Sequence, residues 1–276
     1  MSHRRFSRLP ARSEPHVSLN IGATGMLAQQ MNVDVISNNI DNMTTTGFKR
    51  QRIEFQDLMY QNMTRPGATS SSADTIVPSG LQIGLGVKPA TTYRIHTQGT
   101  VNLTDSELDL AIDGQGFFQI ELPNGDAAYT RSGSFQLNQD GEIVTSQGYR
   151  VEPGITIPDD AVNLEVNAEG QVFISLRGQA EMQNVGQLEL VNFINPAGLE
   201  AIGDTMFAET EASGDPMAGN PGEENMGTIL QGALEQSNVD VVKEITNMIT
   251  AQRAYEMNSQ VISTSDEMMG TITQLR

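Results

Sequence analysis

The spacing of apolar residues divides the chain into two helical ends and a β-rich middle. Near the N-terminus, apolar residues recur at every seventh position, at Leu19, Met26, Val33 and Ile40. A second series with this spacing lies near the C-terminus, at Leu234, Val241, Met248, Tyr255, Ile262 and Met269. Such spacing is typical of helices. We therefore predict an N-terminal helical segment over residues 18–63 and a C-terminal helix over residues 229–276 that packs against it.

Local signals indicate where these helices begin and end. Gly47 follows three threonines and is expected to end the first helix. A second short helix is expected next, because Leu58 and Met59 lie three and four residues after Phe55, and Asn62 lies three residues after Met59. Ser237 and Asp240 have the spacing of an N-terminal helix cap. Since no glycine or proline interrupts the following residues, the last helix is expected to run from Asn238 to Met269.

The middle of the chain has the pattern of an antiparallel sheet. Residues 88–228 contain short apolar runs separated by turn residues. Asn124-Gly125 and Asp140-Gly141 are the turn dipeptides of two predicted hairpins, which in series would form a meander. Residues 64–87 include a segment rich in Ser, Gly and Pro and are expected to form a long extended loop. The fold class is therefore α+β, with paired terminal helices, a central mostly antiparallel β domain and this loop.

Composition excludes several kinds of function. The chain has 34 acidic and 16 basic residues and a net charge of −18, whereas general nucleic-acid binding needs clustered cations. It has no cysteine, which excludes disulfides, thiolate metal sites and cysteine nucleophiles. Of its three histidines, His3, His16 and His96, the first two lie in the N-terminal tail, so the sequence supports neither a histidine metal cluster nor a Ser-His-Asp triad. We predict no catalytic residues, no cofactor and no metal.

Residues 1–17 form a basic leader with arginines at positions 4, 5, 8 and 12. No apolar run follows them, which argues against a cleaved secretory signal. We expect this leader to be disordered or to precede the true translation start. Since no stretch approaches the roughly 18 apolar residues of a membrane helix, no transmembrane segment is predicted either.

The apolar stripe of the terminal helices leaves two interpretations open. The helices can pair only with one another inside a monomer, or a second surface can cover them as well, because a narrow stripe buries little area by itself. Of the 14 methionines, nine lie in the helical ends. Their flexible thioethers suit contacts between subunits but equally suit an ordinary core.

Three groups of motifs resemble one protein family. The sequence SNNIDNMTTTGFKR, over residues 37–50, resembles the N-terminal motif of the flagellar rod, hook and hook-associated axial proteins. DGQGFF at 113–118 and YTRSGSF at 129–135 resemble the β domain that these proteins share, and residues 237–269 resemble their C-terminal helix. Because the motifs occur in the expected order, the chain is identified as a member of this family.

The resemblance also implies a function. Residues 55–87 are similar to the insertion that separates distal from proximal rod subunits, which implies a non-enzymatic subunit of the distal rod, the helical polymer that transmits torque from motor to hook. The implied partners are further copies of the chain, proximal rod subunits, the hook protein, the P and L ring proteins as a bushing, and the flagellar type III export apparatus. The implied location is the basal body, with the rod spanning the periplasm and export without a cleaved signal. A proximal rod or hook subunit and, with less support, a wall-associated enzyme are the alternatives.

On this reading the residues of interest serve self-assembly. The apolar residues expected to line the helix seams are Leu19, Met26, Val33, Ile40, Val241, Met248, Tyr255, Ile262 and Met269. Asn38, Asn39 and Asn42 are expected to satisfy polar groups between helices, next to Gly47 and Phe48. The loop is expected to pack along neighbouring subunits and stiffen the rod through Arg65, Pro66, Gly67, Pro78 and Gly80.

Overall fold

The computed structural model describes residues 15–64, 80–178, 181–223 and 225–274. These residues contain two α-helices and twenty β-strands and fall into two compact units. The terminal unit comprises the described parts of residues 1–36, 53–92 and 246–276. The β unit comprises the described parts of residues 37–52 and 93–245.

Helix α1 spans Pro15–Asp41 and therefore includes the last three residues of the predicted leader. Residues 1–14 lie outside the described residues. A proline suits the start of a helix, where its missing N–H has no partner to lose. The helix ends at Asp41 rather than at Gly47, because the following N–H groups make turn bonds to the third residue back, from Met43 to Ile40 at 3.2 Å and from Thr45 to Asn42 at 3.3 Å.

Helix α2 spans Val241–Gln274. Its cap is Asp240, whose carboxylate accepts a hydrogen bond from the backbone N–H of Lys243 at 3.2 Å. Aspartate is among the best residues for this position. The expectation that Ser237 caps the helix is therefore wrong, and residues 229–235, which the sequence assigned to the C-terminal helix, contain strands instead.

The two helices pair in the antiparallel direction within the terminal unit, as predicted. Gly22 lies beside Ile262 and Gly25 beside Asn258, so positions ascend along α1 as they descend along α2. A Cβ atom added at Gly22 would lie 2.7 Å from Cγ1 of Ile262. The small glycines thus allow the helices to approach closely. Within the described residues, neither helix has the length and apolar character needed to cross a membrane.

The predicted second short helix is wrong, because residues 51–64 form strands. The strands of this region are β1 Gln51–Asp57, β2 Tyr60–Thr64, β3 Leu81–Gly84 and β4 Val87–Arg94. Strand β1 pairs with β4, and β2 pairs antiparallel with β3. Burial alternates along β1, where Ile53 is buried between the exposed Arg52 and Glu54. This two-residue period is that of a strand.

The β unit contains the remaining strands. The first eight are β5 Val101–Leu103, β6 Leu110–Asp113, β7 Phe117–Glu121, β8 Ala127–Thr130, β9 Phe135–Leu137, β10 Ile143–Thr145, β11 Arg150–Val151 and β12 Ala161–Val166. The others are β13 Gln171–Leu176, β14 Met182–Gln187, β15 Leu190–Asn192, β16 Glu200–Gly203, β17 Met206–Ala208, β18 Met217–Gly219, β19 Thr228–Gln231 and β20 Ala233–Glu235.

These strands form one large antiparallel sheet and three small ones. The order in the large sheet is β16-β17-β8-β7-β11-β10-β9, with β15 pairing with both β7 and β18. Strands β12, β13 and β14 form a second sheet, while β6 pairs with β19 and β5 with β20. Both predicted hairpins, β7-β8 and β9-β10, are confirmed. They do not form a meander, because β11 lies between them.

Two adjacent phenylalanines of β7 mark two separate cores in the β unit. Phe118 belongs to the largest cluster of buried apolar residues, which also contains Leu110 and Leu190. Phe117 belongs to an aromatic cluster with Tyr129 and Phe207. Since successive side chains of a strand point to opposite faces, β7 supplies both clusters at once.

Candidate functional site

The predicted seam residues lie on partly covered faces of the terminal helices. All of them are half-buried except Tyr255, which is 42% exposed. Tyr255 lines a cleft of about 400 Å³ with Gln30 and Val33 instead. The most buried positions of α2 form a different series, which is also spaced by seven. Glu244, Ala251 and Ser265 are buried in this series, and Asn258 is half-buried.

Helix α2 also has a second apolar face, which is exposed and consists of two strips about 100° apart around the helix, one from Val242 to Ile249 and one from Met257 to Met268. Its residues have 46% to 76% of their surface exposed and are Val242, Ile245, Ile249, Met257, Val261 and Met268. At about 100° per residue, Ile249 lies nearly opposite the buried Ala251. Groups of exposed large apolar side chains on one element are typical of interaction sites. The geometry of α2 therefore suits a helix that is covered on one side by α1 and on another by a further surface.

A cluster of three charged residues lies inside the β unit and is named here the buried charge cluster. Lys49 donates to Glu235 Oε1 at 2.6 Å and to the carbonyl of Thr97 at 2.9 Å. Arg131 Nε lies 3.0 Å from Glu235 Oε2. The side chains of Lys49 and Glu235 are fully buried, and that of Arg131 is 4% exposed. One carboxylate thus compensates two cations.

The surroundings of the buried charge cluster are set by backbone groups. The two terminal nitrogens of Arg131 donate to the carbonyls of Gly116 and Gly114 at 2.7 and 2.8 Å, and the N–H of Gly99 donates to Glu235 at 2.8 Å. Burial lowers the pKa of Lys49, partly opposed by Glu235. Because a buried charge without a partner is costly, the cluster holds its three segments of chain together as a set.

A second polar network lies beside the first and includes one of the three predicted asparagines. Asn39 is 1% exposed, accepts a hydrogen bond from the N–H of Gln51 at 2.8 Å and donates to its carbonyl at 2.9 Å. It also lies 3.4 Å from Glu244, which pairs with Arg50 at 2.7 Å. Asn39 thus connects α1, β1 and α2 within the β unit.

Among the described residues of the single chain, the other two predicted asparagines make no bridge between the helices. Asn38 is exposed, and the side chain of Asn42 bonds only locally, to the Asn38 carbonyl and the Thr45 hydroxyl. Asn238, which the sequence patterns did not indicate, connects more distant segments of the chain than Asn38 or Asn42 does. It accepts from the N–H of Arg50 at 2.8 Å and donates to the carbonyls of Ile95 and Thr97.

Gly47 and Phe48 lie next to the buried charge cluster. Gly47 has a φ of +71° and donates its N–H to the carbonyl of Glu235 at 2.8 Å. Phe48 is buried, and the guanidinium carbon of Arg94 lies 5.5 Å from its ring centroid. Both residues therefore fix the chain after α1 onto the β unit. Of the predicted loop residues, Gly80 lies just before β3, whereas Arg65, Pro66, Gly67 and Pro78 lie outside the described residues.

His96 packs against the aromatic cluster. Its ring contacts Phe117 and Phe207 edge to face, with centroids 5.6 and 5.3 Å apart. Burial, together with the smaller effect of the cations of Lys49, Arg94 and Arg131, lowers the pKa of His96 to about 4. The imidazole is therefore neutral at physiological pH.

We expect His96 to make the stability of the β unit depend on pH. The unfolded imidazole titrates near 6.5, so its contribution is complete above that pH and is lost as the pH falls towards 4. Relative to a His96→Gln variant, the free energy of unfolding should fall by up to about 3 kcal/mol between pH 7 and pH 4. Urea denaturation of both proteins across this range measures the difference, in which the contributions of the carboxylates cancel. Parallel stability curves would contradict the expectation.

Comparison with known proteins places all three motif regions in one family. A family model described as "Flagella basal body rod protein" matches residues 19–49. Models described as "Flagellar hook protein FlgE/F/G D1 domain" and "Flagellar basal body rod FlgEFG protein C-terminal" match residues 111–174 and 230–275. The three members of the buried charge cluster, Lys49, Arg131 and Glu235, come one from each matched segment.

The chain is also similar over nearly its whole length to proteins named "Flagellar basal-body rod protein FlgG". The protein of Caulobacter vibrioides is 57% identical, with 94% of this chain and 99% of the relative covered. Those of Agrobacterium fabrum and Bacillus subtilis are 49% and 39% identical, with 93% and 94% of this chain and 98% of each relative covered. The chain therefore belongs to the family of flagellar basal-body rod proteins.

Proposed function

We propose that this protein is a structural subunit of the flagellar distal rod, which polymerises helically into the rigid shaft that transmits torque from motor to hook. The exposed apolar face of α2 carries this proposal, because a helix with two apolar faces needs a second covering surface. Subunits that repeat the same heterologous contact without closing a ring form a helical polymer. The names of the relatives support a rod, and the motifs of the sequence support its distal part.

The partners follow from this role. Other copies of the chain cover the helices, and the neighbours along the axis are proximal rod subunits and the hook protein. The P and L ring proteins surround the rod as a bushing, and the type III export apparatus delivers the subunit without a cleaved signal. The location is the basal body, where the rod spans the periplasm. The resemblance supports a role in stiffening the rod for the segment over residues 65–80, of which residues 65–79 lie outside the described residues. The role is structural and not enzymatic.

The β unit supplies the rigid part of the subunit in this proposal. The end of α1 and the start of α2 both belong to it, and Asn39, Glu244 and the buried charge cluster fix them there. Regions held by buried contacts between distant parts of the chain open locally less often than regions whose hydrogen bonds are exposed to solvent. This arrangement suits a subunit that has to bear mechanical load.

The substitution Ile249→Asp tests the proposal. Ile249 is 46% exposed, so the monomer of this variant should fold normally. In the polymer, however, the new aspartate would be buried between subunits, which should prevent polymerisation. Sedimentation and electron microscopy of the purified proteins measure polymer, and circular dichroism checks the helices. The control is Gln136→Asp, which adds the same charge at an exposed position of β9. If the Ile249 variant polymerises as readily as the control, the exposed face of α2 is not the assembly surface.

A further inference from the structure

Two exposed methionines lie in the C-terminal strip of the second apolar face of α2. Met257 is 61% exposed and Met268 is 56% exposed. They are eleven residues apart, which is close to three helical turns, so they lie within about 20° of each other and about 16 Å apart along the axis. Val261, 48% exposed, lies between them. The two thioethers thus occupy the surface that the proposed polymer would cover.

The chemistry of these side chains is distinctive in this chain because it has no cysteine. A peroxide oxidises a thioether in one two-electron step. The sulfur lone pair attacks the terminal peroxide oxygen, the O–O bond breaks, the oxygen stays on sulfur, and water leaves after proton transfer. Sulfur is oxidised and the peroxide reduced. The product, methionine sulfoxide, is polar and no longer suits an apolar interface.

We propose that Met257 and Met268 form an oxidation site through which peroxides block the assembly of free subunits. In the free chain both thioethers are accessible, and their sulfoxides place two polar groups on the contact surface of α2. In the polymer the same atoms are covered and protected. This inference rests on the proposed function, since it takes the exposed face of α2 to be an assembly surface.

Other methionines in the chain separate the effect of position from that of exposure. Met182 and Met217 are 56% and 45% exposed but belong to strands β14 and β18 of the β unit. Oxidation there should proceed at a similar rate without affecting the helices. Met206, at 6% exposure, should be oxidised slowly. The site is therefore defined by its position on α2 and not by accessibility alone.

The experiment treats the full-length monomer with hydrogen peroxide, removes the peroxide and measures polymerisation. Mass spectrometry of peptides determines the oxidation of each methionine. We expect the critical concentration of oxidised wild-type protein to rise at least about tenfold, because polar groups are buried without partners. The critical concentration of the variant Met257→Leu/Met268→Leu, which keeps the side-chain volume, should be the same before and after treatment, whatever its value before treatment. The matched control Met182→Leu/Met217→Leu should remain as sensitive as wild type.

Two further measurements complete the test. Methionine sulfoxide reductases of both stereospecificities, with a thiol reductant, should restore polymerisation of the oxidised wild type. Peroxide added to preformed polymer should leave Met257 and Met268 unmodified. If the leucine variant loses polymerisation after oxidation as wild type does, or if oxidised wild type polymerises normally, the oxidation site is wrong. If untreated wild type never polymerises, or forms polymer in which both thioethers stay reactive, the proposed assembly surface fails instead.

Discussion

The substitution Glu235→Gln is expected to lower the free energy of unfolding of the β unit by about 3–5 kcal/mol, because it removes the only carboxylate of the buried charge cluster. Lys49 and Arg131 would both remain buried without a counter-charge. The shape of the side chain is kept, so the loss reports charge and not packing. Breaking a buried pair from one side costs far more than losing an exposed ion pair, which contributes about 0–1 kcal/mol.

Chemical denaturation followed by circular dichroism measures this loss, and hydrogen exchange of the amides in β7 and β8 assigns it to the β unit. The matched control is Glu200→Gln on strand β16, where the glutamate is exposed. Its effect should stay within about 0.5 kcal/mol. A loss below about 1 kcal/mol for Glu235→Gln would mean that the cluster does not hold two charged partners.

The substitution Gly47→Ala should destabilise the protein by about 2–4 kcal/mol, for two reasons that add. The φ of +71° strains any residue with a Cβ atom. The added Cβ would also lie 2.5 Å from the backbone nitrogen of Ser132 and 2.8 Å from the carbonyl carbon of Arg131. Backbone atoms cannot rotate away as a side chain does, so the segment that carries Lys49 would have to shift.

Gly125→Ala is the matched control for this prediction. Gly125 has a φ of +86°, but no atom lies within 4 Å of its added Cβ. Its loss should therefore reflect strain alone, at about 1 kcal/mol. The difference between the two variants in thermal or urea denaturation measures the close approach at Gly47. If both variants lose the same free energy of unfolding, the close contact of residue 47 with residues 131–132 does not contribute to the loss.

Local patterns in the sequence were sufficient for elements whose structure is determined locally. The sevenfold apolar spacing predicted both terminal helices, and Asn124-Gly125 and Asp140-Gly141 predicted both hairpins. The short helix near Phe55 was wrong because three apolar residues and one asparagine at helical spacing are too short a sample. Strand β1 forms through its pairing with β4, about 30 residues later, and no local propensity reveals such a partner.

The helix interface and the buried charge cluster were beyond prediction for physical reasons. Gly22, Gly25 and Ala251 carry little apolar signal, yet they pack or lie buried where α1 meets α2. Charged residues are expected at the surface, so Glu235 gave no sign of being buried. The family motifs contained Lys49 and Arg131, but nothing in them indicated that both cations share one carboxylate 186 residues after Lys49.

The separation of 186 residues between Lys49 and Glu235 determines when the β unit can complete its folding during synthesis. A chain is made from its N-terminus at roughly 5–20 residues per second, so Glu235 follows Lys49 by about 10–40 seconds. Until Glu235 has been made, Lys49 and the later Arg131 lack the carboxylate that compensates their burial in the folded β unit. The last fifth of the chain thus delays completion of the fold until synthesis is nearly finished.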